Sequence, residues 1–133
     1  MKTNNIQSIL IANRGEIAIR IAKTAKQMGI KTYGIYTTKE PNALYLKAVD
    51  EIVDFPAREK NDIPEFLDID NLVKIAIDHS IDAIHPGYGY LSETALFAQK
   101  REQENIIFIG PSSEVIQNMG HKLIAKEIAR QAN

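Results

Sequence analysis

Short apolar runs alternate with stretches of helical period along the whole chain. Ser8 to Ala12 is rich in isoleucine and follows polar residues, the pattern of a strand buried on both faces. In Gly15 to Met28, Ile17, Ile21, Ala25 and Met28 recur at helical spacing, and Gly29 stops the helix. Lys31 to Tyr36 reads as a second strand, Pro41 to Ala48 as a short helix with proline in its first turn, and Glu51 to Asp54 as a third strand. The polar stretch Pro56 to Pro64 reads as a surface loop. Asp68 or Asp70 caps a helix through Ile77 that carries Leu72, Val73 and Ala76. Asp82 to His85 is a fourth strand, Glu93 to Gln103 a helix capped by Ser92, and Ile106 to Ile109 a fifth strand ended by Gly110-Pro111-Ser112. A short helix to Met119, a break at Gly120 and a last helix from about His121 to Gln131 complete the pattern.

Strands alternating with helices predict an α/β fold: a Rossmann-like, doubly wound, parallel five-stranded sheet with right-handed crossovers. The last helix has no strand to follow. The expected division is therefore a domain over residues 1–119 and a helix, residues 120–133, leading towards a further domain.

Composition narrows the classes without choosing among them. The 133 residues are 44% hydrophobic and 25% charged, enough for one domain with a real core. Sixteen basic against seventeen acidic residues leave a net charge of -1, which points to neither nucleic acid nor an anionic membrane. No apolar run approaches the roughly eighteen residues of a membrane span. The absence of cysteine excludes disulfides, thiolate metal sites and cysteine nucleophiles, and fits a cytoplasmic protein.

Two segments concentrate the chemistry. His85-Pro86-Gly87-Tyr88-Gly89-Tyr90-Leu91-Ser92-Glu93 follows the fourth strand, and Asn13-Arg14-Gly15-Glu16 follows the first. Both sit at carboxyl ends of parallel strands, where ligands bind in open α/β sheets. Neither carries the full G-x-G-x-x-G pattern, so from spacing alone the glycines read first as turn residues and the polar groups as helix caps, with nucleotide binding the alternative. His85 has no partner at metal-ligand spacing and reads as a turn-shaping residue. Ser112 and Ser113 read as caps. On the first helix Arg20, Lys23 and Gln27 share a face, either solvated or a subunit contact. Lys122, Lys126 and Arg130 share a face of the last helix. Lys122 lies at its start, where the helix dipole favours an anion rather than a cation.

Together these segments resemble the amino-terminal domain of biotin carboxylase, the family that includes the biotin carboxylase subunit of acetyl-CoA carboxylase and the first part of pyruvate, propionyl-CoA and methylcrotonyl-CoA carboxylases. The resemblance rests on Ile11 to Ala18, Ala83 to Glu93, Phe108 to Ser112 and Met119 to Lys122, in family order and nearly spanning the chain. It implies a pre-ATP-grasp fold and an ATP-dependent carboxylation of biotin by bicarbonate through carboxyphosphate. ATP, biotin on a carrier protein, and magnesium or manganese are the implied cofactors, with the metal ligands outside this chain. The implied partners are the ATP-grasp and carboxyl-terminal domains of the same enzyme, the biotin carboxyl carrier, a carboxyltransferase and a homodimer mate. Lys122 matches the lysine that contacts the nucleotide. Tyr88 matches the tyrosine beside the biotin ring, and His85, Gly87, Gly89 and Glu93 match the rest of that loop, in a shaping role. Arg20 matches an arginine at the homodimer contact. No residue of this chain matches a catalytic one, so the chain by itself is expected to be inactive.

Several positions depart from the family pattern. His121 stands where aspartate is usual, and Tyr90 where phenylalanine is usual. Lys23 and Gln27 replace Arg and Glu at the dimer contact, and Thr38 to Asn42 with Leu44-Tyr45 replaces an acidic, histidine-containing pattern. The segment from Pro56 to Pro64 is longer than usual. Two other readings share these residues. One is a stand-alone binding or regulatory remnant. The other is the first domain of a different ATP-grasp ligase such as carbamoyl-phosphate synthetase, which would use Lys122 but has no need of Tyr88. The expected location is the cytoplasm, or the mitochondrial matrix in a eukaryote.

Overall fold

The computed structural model describes residues 5–56, 64–88 and 105–110. Within these lie β1 (Ser8–Ile11), α1 (Gly15–Gln27), β2 (Lys31–Tyr36), β3 (Glu51–Asp54), α2 (Ile69–Asp78), β4 (Ala83–His85) and β5 (Ile107–Phe108). The five strands form one sheet in the order β3-β2-β1-β4-β5, and every adjacent pair is parallel. The chain leaves β1 towards one edge through β2 and β3, then crosses back to β4 and β5. The strand order thus reverses direction at β1 and β4, the switch point where α/β sheets bind ligands.

Period-two alternation divides the central strands between two cores. Leu10, Ala12, Ile35, Ile84 and Phe108 pack with Leu72, Val73 and Ala76 of α2. Ile9, Ile11 and Ala83 pack with Ala18, Ile21, Ala22 and Ala25 of α1. Each core thus pairs one face of the sheet with one helix, and a fully buried leucine or isoleucine contributes about 2–3 kcal/mol.

The expected five-stranded parallel fold is the one observed, with differences in local detail. The segment Pro41 to Ala48 is not an α-helix: only Leu44–Lys47 closes, as a 3₁₀ turn. The run is too short to nucleate an α-helix on its own. It is pinned instead by Tyr45, which is buried and donates its hydroxyl to the Ile35 carbonyl at 2.7 Å. The inward stripe of α1 is made mostly of alanines, which bring the helix close to the sheet. Met28, expected inward, is the helix's C-cap and lies exposed. Asp68 rather than Asp70 caps α2, accepting from the Asn71 amide at 3.3 Å. Strands β1, β4 and β5 are each shorter than expected by one or two residues. The helices expected over 93–103, to 119 and over 121–131, the division at residue 119, and most of the 56–64 loop lie outside the described residues.

Candidate functional site

The carboxyl ends of β1 and β4 are neighbours, with Ile11 in register with His85. The two segments singled out in the sequence therefore meet, although they are more than seventy residues apart in the chain. The Ala12 amide donates to the His85 carbonyl at 2.9 Å, extending the ladder one residue past β1. Asn13 comes next and is 3% exposed. Its side-chain amide donates to the Pro86 carbonyl at 2.8 Å and to the Tyr88 carbonyl at 2.7 Å. Its Oδ1 accepts from the Arg14 amide at 2.8 Å. Both donor hydrogens of this buried side chain are thus committed to the turn after β4.

Gly87 makes that approach possible. Its φ is +67°, a conformation that costs an ordinary L-residue about 1–2 kcal/mol. A Cβ at this position would stand 2.7 Å from Asn13 Nδ2 and 3.1 Å from Ile17 Cγ1. The glycine is therefore required twice, by backbone conformation and by the amide packed against it. Its own amide donates to His85 Nδ1 at 3.1 Å. Tyr88 then leaves the turn 67% exposed, an apolar plate beyond the carboxyl end of β4.

Burial lowers the pKa of His85 below its ordinary value of about 6.5. The ring is therefore neutral at physiological pH, and the bond accepted at Nδ1 places its proton on Nε2. The unfolded chain binds this proton more readily than the native one, so stability is full above about pH 6.5. It falls as pH drops through the unfolded value towards the lowered native one. Urea melts between about pH 8 and 5 should show this decline for the wild type. His85→Gln should flatten it, and identical pH profiles for the two proteins would exclude the histidine as its source.

Two further groups frame the site. Arg14, the N-cap residue of α1, forms an ion pair with Glu40 in the loop after β2. Arg20 is exposed, as are Lys23 and Gln27, and its guanidinium donates to Thr24 Oγ1 at 2.8 Å along the helix. Arg20 and His85 both line an apolar groove of about 500 Å³ along α1, with Ile9, Ile17, Ile21 and Ile109 among its other walls.

Of the residues that the sequence points to, His85, Gly87 and Tyr88 form one turn, and Arg20 lies outside that turn on α1, sharing a groove with His85. Gly89, Glu93 and Lys122 lie outside the described residues. Asn13 enters the sequence reading only as part of a turn motif, which misses its bridging role. Its acceptors are 73 and 75 residues away, and no local pattern reports such a contact. Among the described residues there is no group of three or more His, Cys, Asp or Glu able to hold a metal ion. These residues do not fit a metal centre. What they do offer is a rigid turn that presents an aromatic face.

The chain matches the family described as biotin carboxylase, N-terminal domain, over residues 5–116. It is 41% identical to Biotin carboxylase 1 of Bacillus subtilis over 127 residues, which cover 96% of this chain and 28% of that protein. It is 45% identical to a biotin carboxylase of Nostoc sp. over 126 residues, covering 93% and 27%. The structure of a complete multifunctional pyruvate carboxylase from Rhizobium etli superposes with a TM-score of 0.88 at 37% identity, covering 95% of this chain and 13% of that one. The chain thus spans little more than a quarter of the two biotin carboxylases.

Proposed function

Because this chain belongs to the biotin carboxylase N-terminal domain family, we propose that it serves as the amino-terminal domain of a longer ATP-dependent biotin carboxylase. In that reaction a bicarbonate oxygen attacks the γ-phosphorus of ATP, giving carboxyphosphate and ADP. Carboxyphosphate breaks down to carbon dioxide and phosphate, and the ureido nitrogen of biotin takes up the carbon dioxide as it loses its proton. A divalent cation, when bound, neutralises charge on the phosphates. The described residues do not fit a metal site, so no step is assigned to them through it.

The part proposed for this chain is to shape the biotin side of the site. The observation that carries it is the turn itself: a buried amide, a left-handed glycine and a neutral histidine hold the backbone, and the exposed Tyr88 ring faces outward. A flat apolar ring is suited to lie against the small bicyclic ring system of biotin. Gly89 and Glu93 are proposed to share in shaping that side, and Lys122 is the proposed phosphate contact, its cationic head suiting an ATP phosphate. Arg20 is proposed at a homodimer contact. The biotin carrier and a carboxyltransferase act as further partners, in the cytoplasm. The acyl acceptor, which in an acetyl-CoA carboxylase would be acetyl-CoA, is chosen by the carboxyltransferase.

Tyr88→Ala in the carboxylase carrying this domain tests the proposal. It should lower kcat/KM for free biotin by about tenfold. Bicarbonate-dependent ATP cleavage measured without biotin should stay within about twofold of wild type. Unchanged biotin carboxylation would remove the role given to Tyr88 and favour an ATP-grasp ligase with another acceptor.

A further inference from the structure

We propose that Asn13 is a positioning residue for the biotin-side turn, and that it governs acceptor use without touching the acceptor. This rests on the reading of Tyr88 given above. Tyr88 is two-thirds exposed, so its neighbours cannot fix it by packing. Its place is set by the backbone beneath it. Besides the local bond from the Gly87 amide to His85 Nδ1, that backbone is held by one side chain reaching across from the end of β1, with carbonyl acceptors on both sides of Gly87 at 2.8 and 2.7 Å. Fixing both carbonyls fixes the peptide plane between Pro86 and Gly87 and the plane that follows Tyr88, and with them the direction in which Tyr88 leaves the turn. Asn13 is itself held by burial and by the Arg14 amide. The clamp therefore belongs to the rigid β1–α1 junction rather than to the turn that it steadies. Asparagine is suited to this task because one planar NH₂ group presents two donors at once.

The test is steady-state kinetics on the carboxylase carrying this domain, with free biotin and then ATP as the varied substrate. Asn13→Asp keeps the shape but turns both donors into acceptors facing carbonyls, and Asn13→Ala removes them. Each should raise the KM for free biotin about tenfold or more. The KM for ATP in biotin-independent cleavage should move by less than about twofold. Combining Asn13→Ala with Tyr88→Ala should add little to Tyr88→Ala alone, since both act on one element. Asn13→Ser, polar but too short to span both carbonyls, serves if the other two variants do not fold. A normal biotin KM in the Asn13 variants, beside a raised one in Tyr88→Ala, would overturn the inference and leave the reading of Tyr88 intact. Normal values in all of them would remove that reading. Parallel rises for ATP and biotin would reduce Asn13 to a purely structural residue and overturn the inference.

Discussion

Gly87→Ala should cost the domain about 2–5 kcal/mol, measured by urea unfolding of the 133-residue chain. Two effects add. A left-handed backbone costs an L-residue about 1–2 kcal/mol. The new Cβ would also stand 2.7 Å from Asn13 Nδ2, forcing the amide away from one or both of its carbonyls. Leaving buried partners unpaired costs about 1–3 kcal/mol more. Gly29 separates the two effects. It has φ +73°, and a Cβ added there would meet nothing within 4 Å, so Gly29→Ala should show the backbone cost alone. Equal losses for the two variants would mean that the Asn13 clamp adds nothing to stability.

The second large effect concerns chemistry. Residues 1–133 alone should show no bicarbonate-dependent ATP cleavage above background. Phosphoryl transfer depends on a divalent cation and on groups that orient the attacking oxygen. The described residues hold no cluster fit for such a cation, and the chain spans only 28% and 27% of the two biotin carboxylases it resembles. Bicarbonate-stimulated phosphate release from the purified chain, abolished by EDTA, would show that the segment carries a catalytic centre of its own.

The sheet is legible in the sequence because parallel strands buried on both faces leave continuous apolar runs, as Ser8–Ile11 and Lys31–Tyr36 do in part. The order of the strands is not legible, because it depends on crossovers rather than on local pattern. Helix α1 is legible in extent but not fully in phase. Alanines supply three of its four buried positions, Ala18, Ala22 and Ala25, and small residues weigh little in a search for large apolar ones. Pro41 to Ala48 misleads because a proline at the start of so short a run does not separate an α-helix from a 3₁₀ turn anchored by one buried tyrosine. At the site, the glycine and the aromatic ring announce themselves by type. Asn13 does not, because its importance lies in two carbonyls after a strand that only the folded sheet brings alongside.

The central claim, that this domain works as the first part of a longer carboxylase, is tested most directly by the mass of the native gene product. An immunoblot of source cells with an antibody against this domain gives it. A band several times heavier than 14.9 kDa is the expected result. A single band at 14.9 kDa would contradict the claim and make a stand-alone binding or regulatory protein the leading reading.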